Sequence, residues 1–148
     1  MGSFNAFVTD GYDEKAFIRE MPGVYDHPVE ITFRPATYTE QTVIFDRVNA
    51  LRQDKRFAEA DAVMVEEIAA RVSEWRFFDH WNDYREMDGV PQPDADSVRR
   101  LKPALFARLS LIVIHGTDGG DRDPRRKSPV DQEIKTPRER TEEKQGNC

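Results

Sequence analysis

The chain has 148 residues, of which 38% are hydrophobic and 34% are charged, and its formal net charge is -6. This length fits one domain with a modest core, and the acidic balance argues against non-specific nucleic-acid binding, which needs a basic face. The longest apolar run, Leu109 to Ile114, contains Ser110 and is far shorter than the roughly 20 residues that span a bilayer, so the sequence predicts a soluble protein.

The first clear element is a strand. Residues 29–33 alternate apolar and polar side chains, which is typical of a half-buried strand, and Pro35 ends it because proline cannot donate to a ladder. A partner strand is predicted upstream, from Phe4 to Thr9. A helix follows, with Thr37 or Thr39 as its cap, and its apolar residues recur at helical spacing at Ile44, Val48 and Leu51.

The second helix has the clearest pattern in the chain. Its apolar residues follow one another at intervals of three or four, at Phe57, Ala60, Met64, Ile68, Val72 and Trp75. This stripe predicts an amphipathic helix that ends at Trp75 and buries the indole in the core.

Two further helices are predicted after a turn at residues 88–89, where glycine supplies a positive backbone angle at low cost. Asp94 can cap a short helix that runs to Leu101. Pro103 suits the first turn of the last helix, and Gly116 is placed to end it. The apolar side chains that this helix is expected to bury are Leu105, Leu109, Ile112 and Val113.

Residues 117–148 differ from the rest in composition. They hold 8 basic and 8 acidic residues, and their only aliphatic side chains are Val130 and Ile134. Such a segment buries too little apolar surface to offset the entropy of ordering it. The predicted fold is therefore mainly α within the α+β class. It comprises a small domain of about four helices over residues 1–116, with a short N-terminal β-strand or hairpin, and a disordered polar tail.

No pattern in the chain indicates catalysis. His27, His80 and His115 lie far apart, and neither C-x-x-C nor H-E-x-x-H spacing occurs, so we expect no metal site. Residues 117–123 have the composition of a calcium loop but lack its ligand order and closing Glu. Nucleophile-elbow, phosphate-loop and dinucleotide motifs are missing from the sequence, and Cys148 is its single cysteine. We therefore predict neither an enzyme nor a cofactor.

Five aromatic residues lie within ten positions, at Trp75, Phe77, Phe78, Trp81 and Tyr84. Such a cluster either closes one end of the core or exposes a patch that captures a partner, because aromatic residues are enriched at binding hot spots. The helical stripe assigns Trp75 to the core. The candidate protein-binding residues are Phe77, Trp81 and Tyr84.

The order of the motifs carries a family resemblance. Residues 29–123 include VSEWRFFD, then DGVPQP, then DSVRRLKPALFARLSLIVIHG. This order resembles the tail assembly chaperones of long-tailed bacteriophages and prophages, in which W-x-[FL]-x-D, D-G-x-P and R-x-L-x-P-x-L follow one another. The matching positions are Trp75, Phe77, Asp79, Asp88, Gly89, Pro91, Leu101, Pro103 and Leu105. The chain departs from the pattern by extra residues between the first two motifs, including Trp81 and Tyr84.

The resemblance implies a non-enzymatic protein of the host cell cytoplasm that is absent from the mature virion. Such a protein binds the tape measure protein, keeps it soluble and helps to recruit tail tube subunits. Apolar helix faces also favour a small homo-oligomer. Two alternatives stay open: a minor tail or head–tail connector subunit retained in the virion, and a host cytosolic protein-binding adaptor.

The family often makes a longer product by programmed ribosomal frameshifting. Residues 145–147, Gln-Gly-Asn, can be encoded as CAG-GGA-AAC, which contains the slippery heptamer GGGAAAC one codon before Cys148. The hypothesis is that this chain is the short product and that a longer form contacts the tail tube protein.

Overall fold

The structure is a computed structural model that describes residues 12–126. Over this range the chain forms one antiparallel sheet of four strands in the order β1-β2-β3-β4. The strands are β1 (Glu14–Ile18), β2 (Val29–Phe33), β3 (Val72–Asp79) and β4 (Arg85–Glu86). The helices are α1 (Tyr38–Gln53), α2 (Phe57–Arg71), α3 (Ala95–Arg99) and α4 (Pro103–Leu109), and α4 continues into a π-helical turn, Ser110–His115.

The prediction of a mainly helical domain was wrong, because residues 72–79 form β3 rather than the end of the second helix. The α2 helix ends at Arg71, and Val72 is already extended, with φ -85° and ψ 109°. β3 pairs with β2, with Trp75 opposite Ile31 and Phe77 opposite Val29. The spacing of apolar residues up to Trp75 fits a helix. Residues 72–79, however, are rich in the aromatic side chains that strands favour, and their backbone forms hydrogen bonds with β2.

The strand predicted at residues 29–33 is confirmed as β2, which lies between β1 and β3. The partner strand predicted from Phe4 to Thr9 lies outside the described residues. Thr37 is the N-cap of α1. The Glu40 N–H donates to its hydroxyl at 3.2 Å, and the Thr37 N–H donates to the Glu40 carboxylate at 2.9 Å. This reciprocal pair is a capping box.

The predicted cap of α3 and the predicted start and end of the last helix are confirmed, whereas α3 ends at Arg99, two residues before the predicted Leu101. Asp94 caps α3 by accepting a hydrogen bond from the Ser97 N–H at 2.9 Å. Pro103 lies in the first turn of α4, and Gly116 follows the π-helical turn with φ 69°. In the described part of the chain, no helix is long and apolar enough to cross a membrane.

The core lies between the helices and one face of the sheet. From the strands it receives Ile18, Val29, Ile31, Phe33 and Trp75, and each is at most 8% exposed. From the helices it receives Ile44, Val48, Ala60, Val63, Ile68, Val98, Leu105 and Leu109.

Residues 117–126 cover the opposite, outer face of the sheet, whereas the sequence predicted disorder from residue 117 onward. The Arg108 guanidinium donates to Asp118 at 2.8 and 3.0 Å and to Asp121 at 2.9 Å. The Asp121 N–H donates to the Phe17 carbonyl on the free edge of β1 at 2.6 Å. Ion pairs and backbone hydrogen bonds hold this segment, so its low apolar content does not keep it from packing. Residues 127–148 lie outside the described residues.

A charged and aromatic cluster lies beneath this segment. Phe17 and Phe78 are 4% and 1% exposed, and the Arg125 guanidinium lies 4.2 Å from the centre of the Phe78 ring. Glu30, 4% exposed, accepts hydrogen bonds from Arg76 at 3.2 Å and from Arg126 at 2.9 Å. A buried carboxylate is tolerated when it is paired in this way, and removal of one partner leaves a costly charge.

Gly120→Ala tests the close approach of this segment to β1. Gly120 has φ +87°, and a Cβ there would lie 2.8 Å from the Phe17 carbonyl oxygen, so we expect the variant to lose about 2–3 kcal/mol of unfolding free energy. Gly119→Ala is the matched control, since its Cβ would meet nothing within 4 Å. Urea unfolding measures both. Equal stability of the two variants would show that residues 117–121 do not pack against β1.

Asp118→Asn tests the charge pairing through its pH dependence. Hydrogen bonds from Arg108 lower the pKa of Asp118. For Asp121, burial raises the pKa, but hydrogen bonds from Arg108 and Arg19 outweigh it and the pKa is lowered. A lowered native pKa stabilises the fold above the unfolded value, about pH 4, and this stabilisation is lost as pH falls through the native pKa.

We therefore expect Asp118→Asn to be less stable than wild type at pH 7 and to lose less stability between pH 5 and about pH 2. Urea unfolding across this range measures the slope. Asp26 is exposed and is not a partner of Arg108, so Asp26→Asn serves as the control. An unchanged slope in Asp118→Asn would contradict the pairing.

Candidate protein-binding site

An apolar pocket opens between β3, the segment after β4 and α3. We call it the β3–α3 pocket, and its volume is about 390 Å³. Its apolar lining consists of Trp75, Phe77, Met87, Val90, Pro91 and Leu101. Concave, mainly apolar sites of this size are typical of ligand and side-chain binding.

Trp75 determines the shape of the pocket. Its indole N–H donates to the Pro91 carbonyl at 2.7 Å, which holds the segment after β4 against the sheet. Its ring meets Phe77 edge-on, with 5.5 Å between the ring centres and 75° between their planes. Gly89, with φ 77°, allows the turn that brings Pro91 back to the indole. The turn motif and the aromatic motif of the sequence therefore meet in one wall.

The rim of the pocket carries both signs of charge. Asp96 lies on α3 and Arg100 directly follows this helix; 3.5 Å separate Asp96 Oδ2 from Arg100 Nε, and both side chains are well exposed. On the opposite side, His27 Nδ1 lies 3.3 Å from the Phe78 carbonyl oxygen. An apolar floor within a polar, solvent-accessible rim is the arrangement found at protein–protein contacts.

The three predicted binding residues do not share one surface. Phe77 is half-buried in the β3–α3 pocket. Trp81 is 82% exposed at the tip of the β3–β4 hairpin. Tyr84 is half-buried on the outer face, where its ring packs edge-on against Phe17 with 6.2 Å between the ring centres. Phe78 is buried on that same face.

Sequence reasoning missed Met87 and Val90 as pocket residues. They are isolated apolar side chains in a polar stretch around the 88–89 turn, which was a usable signal. It also missed the partner of His80. The His80 Nε2 lies 3.5 Å from a Glu20 carboxylate oxygen, and both side chains are 13% exposed.

The three histidines lie in separate places. The His115 ring packs on Phe45 with 4.7 Å between the ring centres, His27 lines the β3–α3 pocket, and His80 lies at the tip of the β3–β4 hairpin. Within residues 12–126, no three His, Cys, Asp or Glu side chains are grouped so that they could hold a metal ion. The calcium-loop candidates Asp118 and Asp121 bind Arg108 instead. Cys148 lies outside the described residues.

Comparison with known proteins adds no family assignment: no protein-family model matches the chain, and no curated protein or solved structure is significantly similar to it. The resemblance to tail assembly chaperones stays a prediction that depends on the matched positions. Four of these positions, Trp75, Phe77, Pro91 and Leu101, line the β3–α3 pocket.

Trp75→Ala tests the structural role of the indole. Trp75 is 8% exposed and its N–H is hydrogen-bonded, so we expect a loss of about 3–5 kcal/mol in unfolding free energy. Phe57→Ala removes an aromatic ring that is 57% exposed and should cost less than about 1 kcal/mol. Urea unfolding compares them. Phe77→Ala and Tyr84→Ala should lie between these limits, and a loss as large as that of Trp75→Ala would assign both rings to the core.

Proposed function

We propose that this protein is a non-catalytic assembly chaperone that binds an apolar helical segment of a partner in the β3–α3 pocket. The partner that we propose is the tape measure protein of a long bacteriophage tail. The observation that carries the proposal is the position of Trp75, Phe77, Pro91 and Leu101. These residues belong to three separate motifs of the family resemblance and line one apolar pocket.

The pocket suits an amphipathic helix. Such a helix presents apolar side chains at i, i+3, i+4 and i+7, and its central anchor would enter the floor formed by Trp75 and Phe77. The mixed charges of Asp96 and Arg100 leave room for polar contacts on either side of the anchor. The net charge of -6 favours solubility of the complex, because it opposes self-association of the bound partner.

In this function the chaperone acts in the host cell cytoplasm, keeps the tape measure protein soluble and helps to recruit tail tube subunits. It then leaves before the virion is complete. A longer frameshifted form would add the contact with the tail tube protein. The recruitment of tail tube subunits and the frameshifted form rest on the resemblance alone, whereas the β3–α3 pocket supports the binding of the tape measure protein.

Co-expression with the tape measure protein tests the proposal. We expect wild type to raise its soluble fraction and to co-purify with it. Leu101→Glu should abolish both effects, because it places a charge in the apolar lining. Leu111→Glu is the matched control, since Leu111 is 41% exposed and does not line the pocket. Phe77→Ala should weaken binding by about tenfold or more.

Urea unfolding of both glutamate variants separates lost binding from lost folding. Unchanged solubility of the tape measure protein in the presence of wild type would contradict the chaperone function. The chain at stoichiometric amounts in purified virions would instead favour a retained structural subunit.

A further inference from the structure

The Trp81 side chain is largely exposed to solvent. It lies between β3 and β4 in a 3₁₀ turn, His80–Asn82, and 82% of its surface is in solvent. Tryptophan is among the residues most enriched at the centres of protein interfaces, because its burial removes a large apolar area from water. An exposed indole at a hairpin tip is therefore a candidate docking element.

The hairpin holds this indole in place. The backbone N–H of Trp81 donates to the Asp79 carboxylate at 3.1 Å, and the indole ring packs on His80 with 4.2 Å between the ring centres. Asp83 and Tyr84 both have φ 57°, a left-handed conformation that costs free energy in residues other than glycine. Backbone strain of this kind persists when the surroundings enforce it, and here the Tyr84 ring is fixed against Phe17. The exposed position of Trp81 is thus built into the hairpin.

Trp81 does not occupy the β3–α3 pocket of its own chain. It is not among the residues that line that pocket, and 82% of its surface is in solvent. The pocket has the chemistry that an indole requires. Its floor is aromatic and aliphatic, its volume of about 390 Å³ admits the ring, and the Asp96 carboxylate at its rim can accept the indole N–H.

We propose that two copies of this chain associate by placing Trp81 of each in the β3–α3 pocket of the other. In this arrangement each copy inserts one indole and receives one, so a two-fold axis relates the copies and the contact closes as a symmetric dimer. The proposal goes beyond the chaperone function and does not depend on it. If both hold, the second copy occupies the pocket until a partner helix displaces it.

The small buried area predicts a weak dimer. Each inserted indole buries roughly 150–250 Å² of its own surface, together with a comparable area of pocket wall. The total stays below the 1,200–2,000 Å² or so of stable interfaces. The net charge of -6 on each copy opposes association, so salt should strengthen the dimer by screening that repulsion. Interfaces held by ion pairs respond to salt in the opposite direction.

Sedimentation velocity from about 5 to 500 µM tests the dimer. Wild type should show a sedimentation coefficient that rises with concentration, more so in 0.5 M than in 0.05 M NaCl. Trp81→Ala and Leu101→Glu should each remain monomeric. Tyr38→Ala, which removes an 83% exposed aromatic ring from α1, is the matched control and should dimerise like wild type. A monomeric wild type, or dimers of Trp81→Ala as strong as those of wild type, would overturn the proposal.

Mixing the two disabled variants gives a sharper test. Trp81→Ala keeps an intact pocket and Leu101→Glu keeps the indole, so the mixture restores one of the two contacts. We expect a heterodimer that is weaker than the wild-type dimer and is seen with neither variant alone. Failure of the mixture to associate, when wild type does, would place the contact elsewhere. Trp81→Ala should still solubilise the tape measure protein. Loss of the dimer and loss of the chaperone function are therefore distinguished by this variant.

Discussion

The pairing of β3 with β2 is the constraint on which the rest of the structure depends. With Trp75 opposite Ile31 and Phe77 opposite Val29, alternate residues of the aromatic stretch point to opposite faces of the sheet. Trp75 and Phe77 face the helices, whereas Arg76 and Phe78 face outward. A shift of one residue would exchange the two sets, so the register decides where both the core and the pocket lie.

The two faces are stabilised by different physical terms. The helix face is stabilised by apolar burial from α1, α2 and α4. On the outer face, the aromatic rings of Phe17 and Phe78 are buried and that of Tyr84 is half-buried, and residues 117–126 cover this face mainly through paired charges. Glu30 is the central carboxylate of this arrangement, with Arg76, Arg125 and Arg126 around it. Hydrogen bonds from Arg108 and Arg125 lower the pKa of Asp118 and Asp123, so these two pairings weaken as the pH falls through those pKa values.

The candidate binding features lie in or near β3. Trp75 and Phe77 of β3 line the pocket, and the exposed Trp81 and the left-handed pair Asp83 and Tyr84 follow this strand within a few residues. This left-handed conformation costs free energy in residues other than glycine and persists where the surrounding structure enforces it. The sequence indicated this region through its aromatic count. It did not separate Phe77, Trp81 and Tyr84, because their separation depends on which face of the sheet, or which turn, carries each residue.

The sequence by itself determined the local features: the strand at residues 29–33, a helix cap at Thr37 or Thr39, the Asp94 cap, the 88–89 turn and the helix end at Gly116. Each of these depends on residues only a few positions apart, so local chemistry suffices. The tertiary structure alone decided that residues 72–79 form a strand, because their partners in β2 lie 39 to 48 residues upstream. It likewise decided that Asp118 and Asp121 order the chain after Gly116, since Arg108 reaches both only in the folded protein.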